Sequence, residues 1–326
     1  MIHLVHRGTL PAFLMALAAC QATPGGPVER VVIPRGATFR QATDSLAAHG
    51  LIRWRPWFLL AARVGQFDRA IRPGVYEFVP GTPALGILRD LRAGRMVVVR
   101  MTVPEGRTLT DIAAIAEERL AIPADSVVAA SRDTALLRHY GIPGTSAEGY
   151  LAPETYLVPA DATAGELVRL LLDQFQAGWE AGWTARLDSI PLDRHQVVIL
   201  ASIVEGEAQV DEERPVIAGV YLNRLRIGMA LQADPTVQYA IQLATGTRKP
   251  RLVNADYAFP SPYNTYLNPG LPPGPVGSPG RKSIEAVLYP ASVPYLYFVA
   301  SGGGRHAFSR TYDEHLRHVA RARAGR

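Results

Sequence analysis

Cysteine is almost absent. Cys20 is the only one in 326 residues, which excludes an intramolecular disulfide framework and a metal site built on thiolates. There is no His-Glu-x-x-His, and the eight histidines show no pairing with carboxylates at ligand spacing, so metal-dependent hydrolysis is not indicated. No apolar run approaches the roughly 20 residues that a membrane-spanning helix needs. The net charge of +5 is mild and spread along the chain. No basic run is interleaved with aromatics, so nucleic acid is not an expected partner. No Gly-rich phosphate loop follows a strand, since Gly302-Gly303-Gly304 reads as a hairpin turn. Ser202 has neither an elbow motif nor an obvious His partner. No cofactor is expected.

What is present is apolar residue in quantity, 48% of the chain. That is enough for a sizeable core, and the length allows two domains. At the start, His3, His6 and Arg7 precede the apolar stretch from Leu10 to Ala19, with small residues before Cys20. This is the plan of a secretory signal, and Leu17-Ala18-Ala19-Cys20 is similar to a bacterial lipobox, whose cysteine is lipidated. Residues 1–20 are therefore expected to be a signal and lipobox segment. Residues 21–30, with Thr23-Pro24-Gly25-Gly26-Pro27, read as a tether.

The expected fold class is α+β. Residues 31–103 read as a small module of short strands and paired helices. Val31-Val32-Ile33 and Val75 to Val79 have strand character, Thr38 with Gln41 caps one helix, and Trp54 to Val64 forms another. The pattern resembles a LysM-like module of βααβ type. Trp54 and Trp57 are either core aromatics or platforms for sugars. Ile33-Pro34-Arg35-Gly36-Ala37-Thr38 and Val103-Pro104-Glu105-Gly106-Arg107-Thr108 share a strand, a Pro-x-Gly turn and a Thr cap.

Residues 104–326 read as a helix-rich catalytic domain with a short antiparallel sheet. Helices are expected at Thr108 to Leu120, near Asp125 to Tyr140, and from Thr163 to about Trp179. The stretch from Gly144 to Pro159 reads as irregular, with Glu148 and Glu154 among aromatics. Asp193 and Gln196 form a capping box for a helix whose run Val197 to Val204 is apolar almost all round. Near its end stands Glu205, followed by Gly206 and Glu207. A carboxyl in apolar surroundings is the kind of group that serves as a general acid, although a helix-end glutamate facing solvent has the same spacing. A further helix starts at Asp211-Glu212-Glu213-Arg214-Pro215. Pro260 to Pro279 is rich in Pro and Gly but carries Tyr263-Asn264-Thr265-Tyr266, which suggests a long ordered loop over a cleft. Tyr295 to Ala300 and His306 to Ser309 read as a hairpin, and Thr311 with Glu314 caps a last basic helix.

Several of these stretches together resemble the endolytic murein transglycosylases, the MltG or YceG-like family. They are Glu148-Gly149-Tyr150-Leu151-x-Pro153-Glu154-Thr155-Tyr156, Ala201-Ser202-Ile203-Val204-Glu205-x-Glu207 and Glu213-Arg214-Pro215. They continue with Asn223-Arg224-Leu225, Leu231-Gln232-Ala233-Asp234-Pro235-Thr236-Val237, Tyr263-Asn264-Thr265-Tyr266, Gly270-Leu271-Pro272-Pro273-Gly274 and Tyr295 to Val299. The resemblance runs in order from about Val31 to the C-terminus. It implies cleavage of the β-1,4 bond between N-acetylmuramic acid and N-acetylglucosamine within glycan strands, leaving 1,6-anhydro ends.

The family's catalytic glutamate falls on Glu205, acting first as acid and then as base, with no cofactor. Asn223, Gln232, Asp234, Tyr263, Asn264 and Glu154 are then candidates to hold sugars, though each is equally suited to tying loops together. The implied partners are peptidoglycan strands and a membrane reached through the N-terminal anchor; peptidoglycan synthases are a further candidate. Family members typically carry an N-terminal transmembrane helix, which the lipobox-like start replaces here. Gly206 stands where many relatives have Lys. Two other readings fit the residues: a glycoside hydrolase pairing Glu205 with Asp234 or Glu207, and a non-catalytic wall-binding lipoprotein.

Overall fold

The computed structural model describes residues 25–69 and 71–324. Cys20, with the signal and lipobox expectation, lies outside the described residues. The rest is an α+β chain of thirteen α-helices and three two-stranded sheets among the described residues. It divides into two compact units.

The first unit holds residues up to Val99 together with Leu157–Asp161. Its elements are β1 (Glu29–Ile33), α1 (Phe39–Ala48), α2 (Arg55–Val64), β2 (Gly74–Phe78) and α3 (Ala84–Ala93). β1 and β2 are antiparallel, in register from Glu29 opposite Phe78 to Ile33 opposite Gly74. Alternation along β1 turns Val31 and Ile33 inward, where they meet Leu46, Phe58, Tyr76 and Leu88 in one core. The capping box at the start of α1 forms as expected: Gln41 N donates to Thr38 Oγ1 and Thr38 N donates to Gln41 Oε1. Trp54 and Trp57 are not core residues, with 67% and 39% of their surface exposed.

The division between the units runs through β3 (Val98–Val103) and β4 (Glu154–Pro159), which pair with each other. The second unit continues with α4 (Leu109–Leu120), α5 (Ala124–Ala130), α6 (Thr134–His139), α7 (Ala164–Gly178), α8 (Ala181–Leu187) and α9 (Arg194–Glu207). A 3-10 turn at Asp211–Glu213 leads into α10 (Arg214–Arg226), then α11 (Asp234–Thr245) and α12 (Arg281–Leu288). The hairpin of β5 (Tyr297–Gly302) and β6 (Arg305–Ser309) and the helix α13 (Tyr312–Ala324) complete it.

α9 is the centre of this unit. Val197 to Val204 are all buried, and α10, α11 and α12 pack against it. Each buried Val, Leu or Ile contributes about 1.5–3 kcal/mol relative to exposure, which outweighs the modest helix propensity of its β-branched residues.

Two expectations need correction. The helix expected near Asp125 to Tyr140 is two helices, because Asp133 caps a new start by accepting from Ala135 N and Leu136 N. The stretch from Gly144 to Pro159 is not wholly irregular, since its end is β4 and Glu154 opens that strand. α8 and α11 were not legible. α11 begins Asp234-Pro235, with Pro in its first turn, where its missing N–H is not needed.

Candidate active site

Glu205 lies in the last turn of α9 with only 8% of its side-chain surface exposed. Its surroundings are not simply apolar. Gly280 N donates to Oε2 at 2.9 Å, the Ser283 hydroxyl donates to Oε2 at 2.8 Å, and Arg214 Nη1 stands 3.1 Å from the same oxygen. Arg214 Nη1 also donates to Ser283 Oγ at 2.5 Å, which turns the hydroxyl proton toward Glu205. Both hydrogen bonds that Glu205 accepts among the described residues, and the 3.1 Å approach of Arg214, therefore fall on Oε2.

Each anchor has a structural origin. Arg214 is the first residue of α10, and Asp211 in the preceding turn accepts from its Nε at 3.1 Å. Burial would lower the Arg214 guanidinium, but the negative charges of Glu205 and Asp211 hold it above its ordinary value. Gly280 and Ser283 belong to the start of α12. The loop before α12 is fastened on two sides: Val276 N donates to Ser202 Oγ at 3.0 Å, and Gly106 N donates to Ser278 O at 2.8 Å. The Ser202 hydroxyl donates to Ile199 O, so it serves as a buried bridge.

The pair Glu205 and Glu207 divides into two environments. The Glu207 carboxyl accepts from the Tyr221 hydroxyl at 2.8 Å and from the Asp234 N–H. The residue keeps some surface, but burial of its carboxyl pushes its pKa up to about 7. Gly206 between them lets α11 approach: a methyl group there would fall 2.6 Å from Pro235.

The other candidate residues separate by position. Asp234 accepts from the Tyr266 hydroxyl at 2.7 Å and the Tyr257 hydroxyl at 3.4 Å. Gln232 is exposed and holds a φ of 51°, a left-handed backbone that costs a non-glycine residue about 1 kcal/mol or more. Tyr263 packs edgewise on Tyr239, with ring centroids 4.9 Å apart. Asn264 has no exposed surface; its amide donates to Tyr257 O and Phe259 O and accepts from Tyr266 N. Asn223 donates to Val293 O and Tyr295 O, which ties that segment to α10. Glu154 is exposed and accepts from its neighbour Thr155 N. Glu148 is buried, accepting from Leu109 N at the start of α4 and from the Tyr239 hydroxyl, and burial pushes its pKa up to about 7.

Arg214, Ser283 and Gly280 were not singled out from the sequence. Arg214 was visible within Glu213-Arg214-Pro215, but its direction was not; Ser283 and Gly280 carry no local signal. Glu105 also adjoins this site, because a methyl group on Gly280 would fall 1.9 Å from Glu105 Oε1. A cavity of about 630 Å³ lies along β3 and α4, lined by Arg100, Thr102, Pro104, Arg107 and Asp111 among others. It shares the Pro104–Arg107 turn with the site, although Glu205 does not line it.

Comparison with known proteins settles the lineage. The YceG-like family model matches residues 31–321. The chain belongs to the YceG-like family. A Bacillus subtilis protein named endolytic murein transglycosylase is 33% identical over 87% of this chain and 81% of its own length. One of the same name from Streptococcus pneumoniae is 28% identical over 89% of this chain, which spans 57% of that protein's length. The crystal structure of a YceG-like protein from Listeria monocytogenes superposes with a TM-score of 0.62 at 29% identity, covering 90% of this chain and 99% of that one.

Proposed function

We propose that this YceG-like chain is an endolytic peptidoglycan transglycosylase, cutting the bond between N-acetylmuramic acid and N-acetylglucosamine within glycan strands. The single observation that carries the mechanism is the one-sided anchoring of Glu205. With Oε2 held by Arg214, Ser283 and Gly280, the carboxyl has a fixed orientation and Oε1 is the oxygen available to substrate.

Glu205 gives its proton to the departing glycosidic oxygen as the bond from the muramic C1 breaks. The three donors on Oε2 stabilise the carboxylate thus formed. That carboxylate takes the proton of the sugar's own C6 hydroxyl, whose oxygen closes onto C1 and yields the 1,6-anhydro end. The proton that leaves is replaced by the proton that arrives, and no water enters. Attack from within the same sugar supplies the proximity advantage. Glu207 and Asp234, the partners a two-carboxylate hydrolase would use, are each engaged by tyrosine hydroxyls, which weighs against that alternative. Exposed Gln232 and Glu154 and part-exposed Tyr263, Asp234 and Asn223 retain surface for sugars, while buried Asn264 folds the surrounding loop.

The N-terminal unit is a LysM-like glycan-binding module on this reading, with Trp54 and Trp57 as stacking platforms. Cys20 is the lipidated anchor on the extracytoplasmic face of a membrane. A Cys20→Ala chain found still in the membrane fraction would remove that assignment.

The test of the activity is digestion of purified glycan followed by mass spectrometry. The parent protein is expected to release ends lighter by one water than hydrolytic ends, and Glu205→Gln to release about a thousandfold fewer or none. Reducing ends from the parent protein, or unchanged release by Glu205→Gln, would overturn it.

A further inference from the structure

Glu205 has a conflict to resolve. Its proposed first task needs a proton on the carboxyl, yet the groups that meet Oε2 are a guanidinium, a hydroxyl and a backbone N–H, all of them donors. A second carboxyl beside it can hold a proton in the site.

Glu105 is placed to do so. It sits in the Pro104-Glu105-Gly106 turn between β3 and α4. Gly280 borders both carboxyls: its N–H donates to Glu205 Oε2 at 2.9 Å, and a methyl group on its Cα would fall 1.9 Å from Glu105 Oε1. By ordinary covalent geometry this sets the two carboxyls within about 7 Å. The turn is brought there by the Gly106 N–H to Ser278 O bond and by Ser278 N to Arg107 O, both 2.8 Å. A methyl group on Gly106 would lie 3.6 Å from Glu205 Cγ.

The charged groups that face Glu105 come from every element around it: Glu205 on α9, Asp211 in the 3-10 turn, Arg214 on α10 and Lys282 on α12. Lys282 pairs with Asp211, and Arg214 bridges Asp211 and Glu205. Three carboxylates thus face two cations. One proton on the cluster makes it neutral.

We propose that Glu105 is a positioning residue for the transglycosylation reaction, forming with Glu205 a carboxyl pair that retains one proton for transfer to the leaving oxygen. Glu105 does not touch the reacting atoms; it acts through Glu205, opposing the pull of Arg214. Burial, followed by the charge of Glu205, raises the Glu105 carboxyl above its ordinary value, although much of the residue is exposed. The inference rests on the assignment of Glu205 as general acid.

The experiment is the pH profile of anhydro-end release from soluble glycan strands, from about pH 4 to about pH 9. Replacing Glu105 by Gln removes one negative charge from the cluster, so the cluster releases its proton at lower pH. The alkaline fall in activity is expected to move down by about one pH unit, with product chemistry unchanged, and Glu105→Asp to restore part of the shift. Gly280→Ala gives an independent route. Its backbone, at φ −73° and ψ 164°, accepts any residue and keeps the N–H to Glu205, while its methyl displaces the Glu105 carboxyl; the profile should move in the same direction. Profiles for both variants that superpose on the parent's would overturn the proposal. Loss of the acid role itself is separately visible, because Glu205→Gln would then be active.

Discussion

Glu213 and His306 lock the approach to α10 onto the hairpin. His306 Nδ1 lies 2.7 Å from Glu213 Oε2, and the His306 N–H reaches both carboxyl oxygens at 3.1 Å. Glu213 immediately precedes Arg214, so the fastening sets where the guanidinium emerges. Glu213→Ala is expected to cost about 3 kcal/mol of stability, since it strands a buried imidazole and a backbone N–H. It should also lower glycan cleavage at temperatures where the variant is still folded. Urea unfolding with a parallel rate measurement checks both. Stability lost with the rate intact would mean that Arg214 is positioned by Asp211 alone.

Ser283 connects Arg214 to Glu205. Ser283→Ala removes a donor to Oε2 and the acceptor of a buried guanidinium N–H. The expected outcome is a rate lower by about ten- to a hundredfold with stability reduced by about 1 kcal/mol, and Ser283→Thr retaining more activity than Ala. Equal rates for Ala and the parent would show that the hydroxyl does not matter to the carboxylate.

Two buried carboxyls give the fold a pH dependence. Burial pushes both Glu148 and Glu207 from an ordinary 4.5 up to about 7. Between those values the folded chain keeps protons that the unfolded chain has released. Stability is therefore fully present at and below the lower value, falls as pH rises to about 7, and is level above it. The decline is expected to be on the order of 3 kcal/mol for each carboxyl at most. Denaturant titrations at steps across this range check the sign, and a Glu148→Gln, Glu207→Gln double variant should flatten the curve. A parent curve that rises over the same interval would contradict the burial of these groups.

Much of the fold was legible because its signals are local. Thr38 with Gln41, Thr163 with Glu166 and Asp193 with Gln196 each cap a helix within four residues, where backbone and side chain meet whatever the rest of the chain does. The unbroken apolar run from Val197 to Val204 announced a buried helix, and α9 is one. β4 and α11 were obscured because their Pro and turn residues also suit loops, and tertiary pairing decided between them. Asn264 drew notice as a polar residue in an ordered loop. Only the folded chain shows it without surface, holding that loop together from inside.

The order of motifs along the chain, the apolar helix and the glutamate at its end were determined by sequence alone, through periodicity and capping that act over one or two turns. Tertiary structure alone decided which groups meet at that glutamate. Gly280 and Ser283 lie 75 and 78 residues away along the chain, and Glu105 approaches from the opposite direction. Nothing local encodes such meetings: they arise when helices bury their apolar faces against α9, and the polar residues at the helix ends are carried to one point.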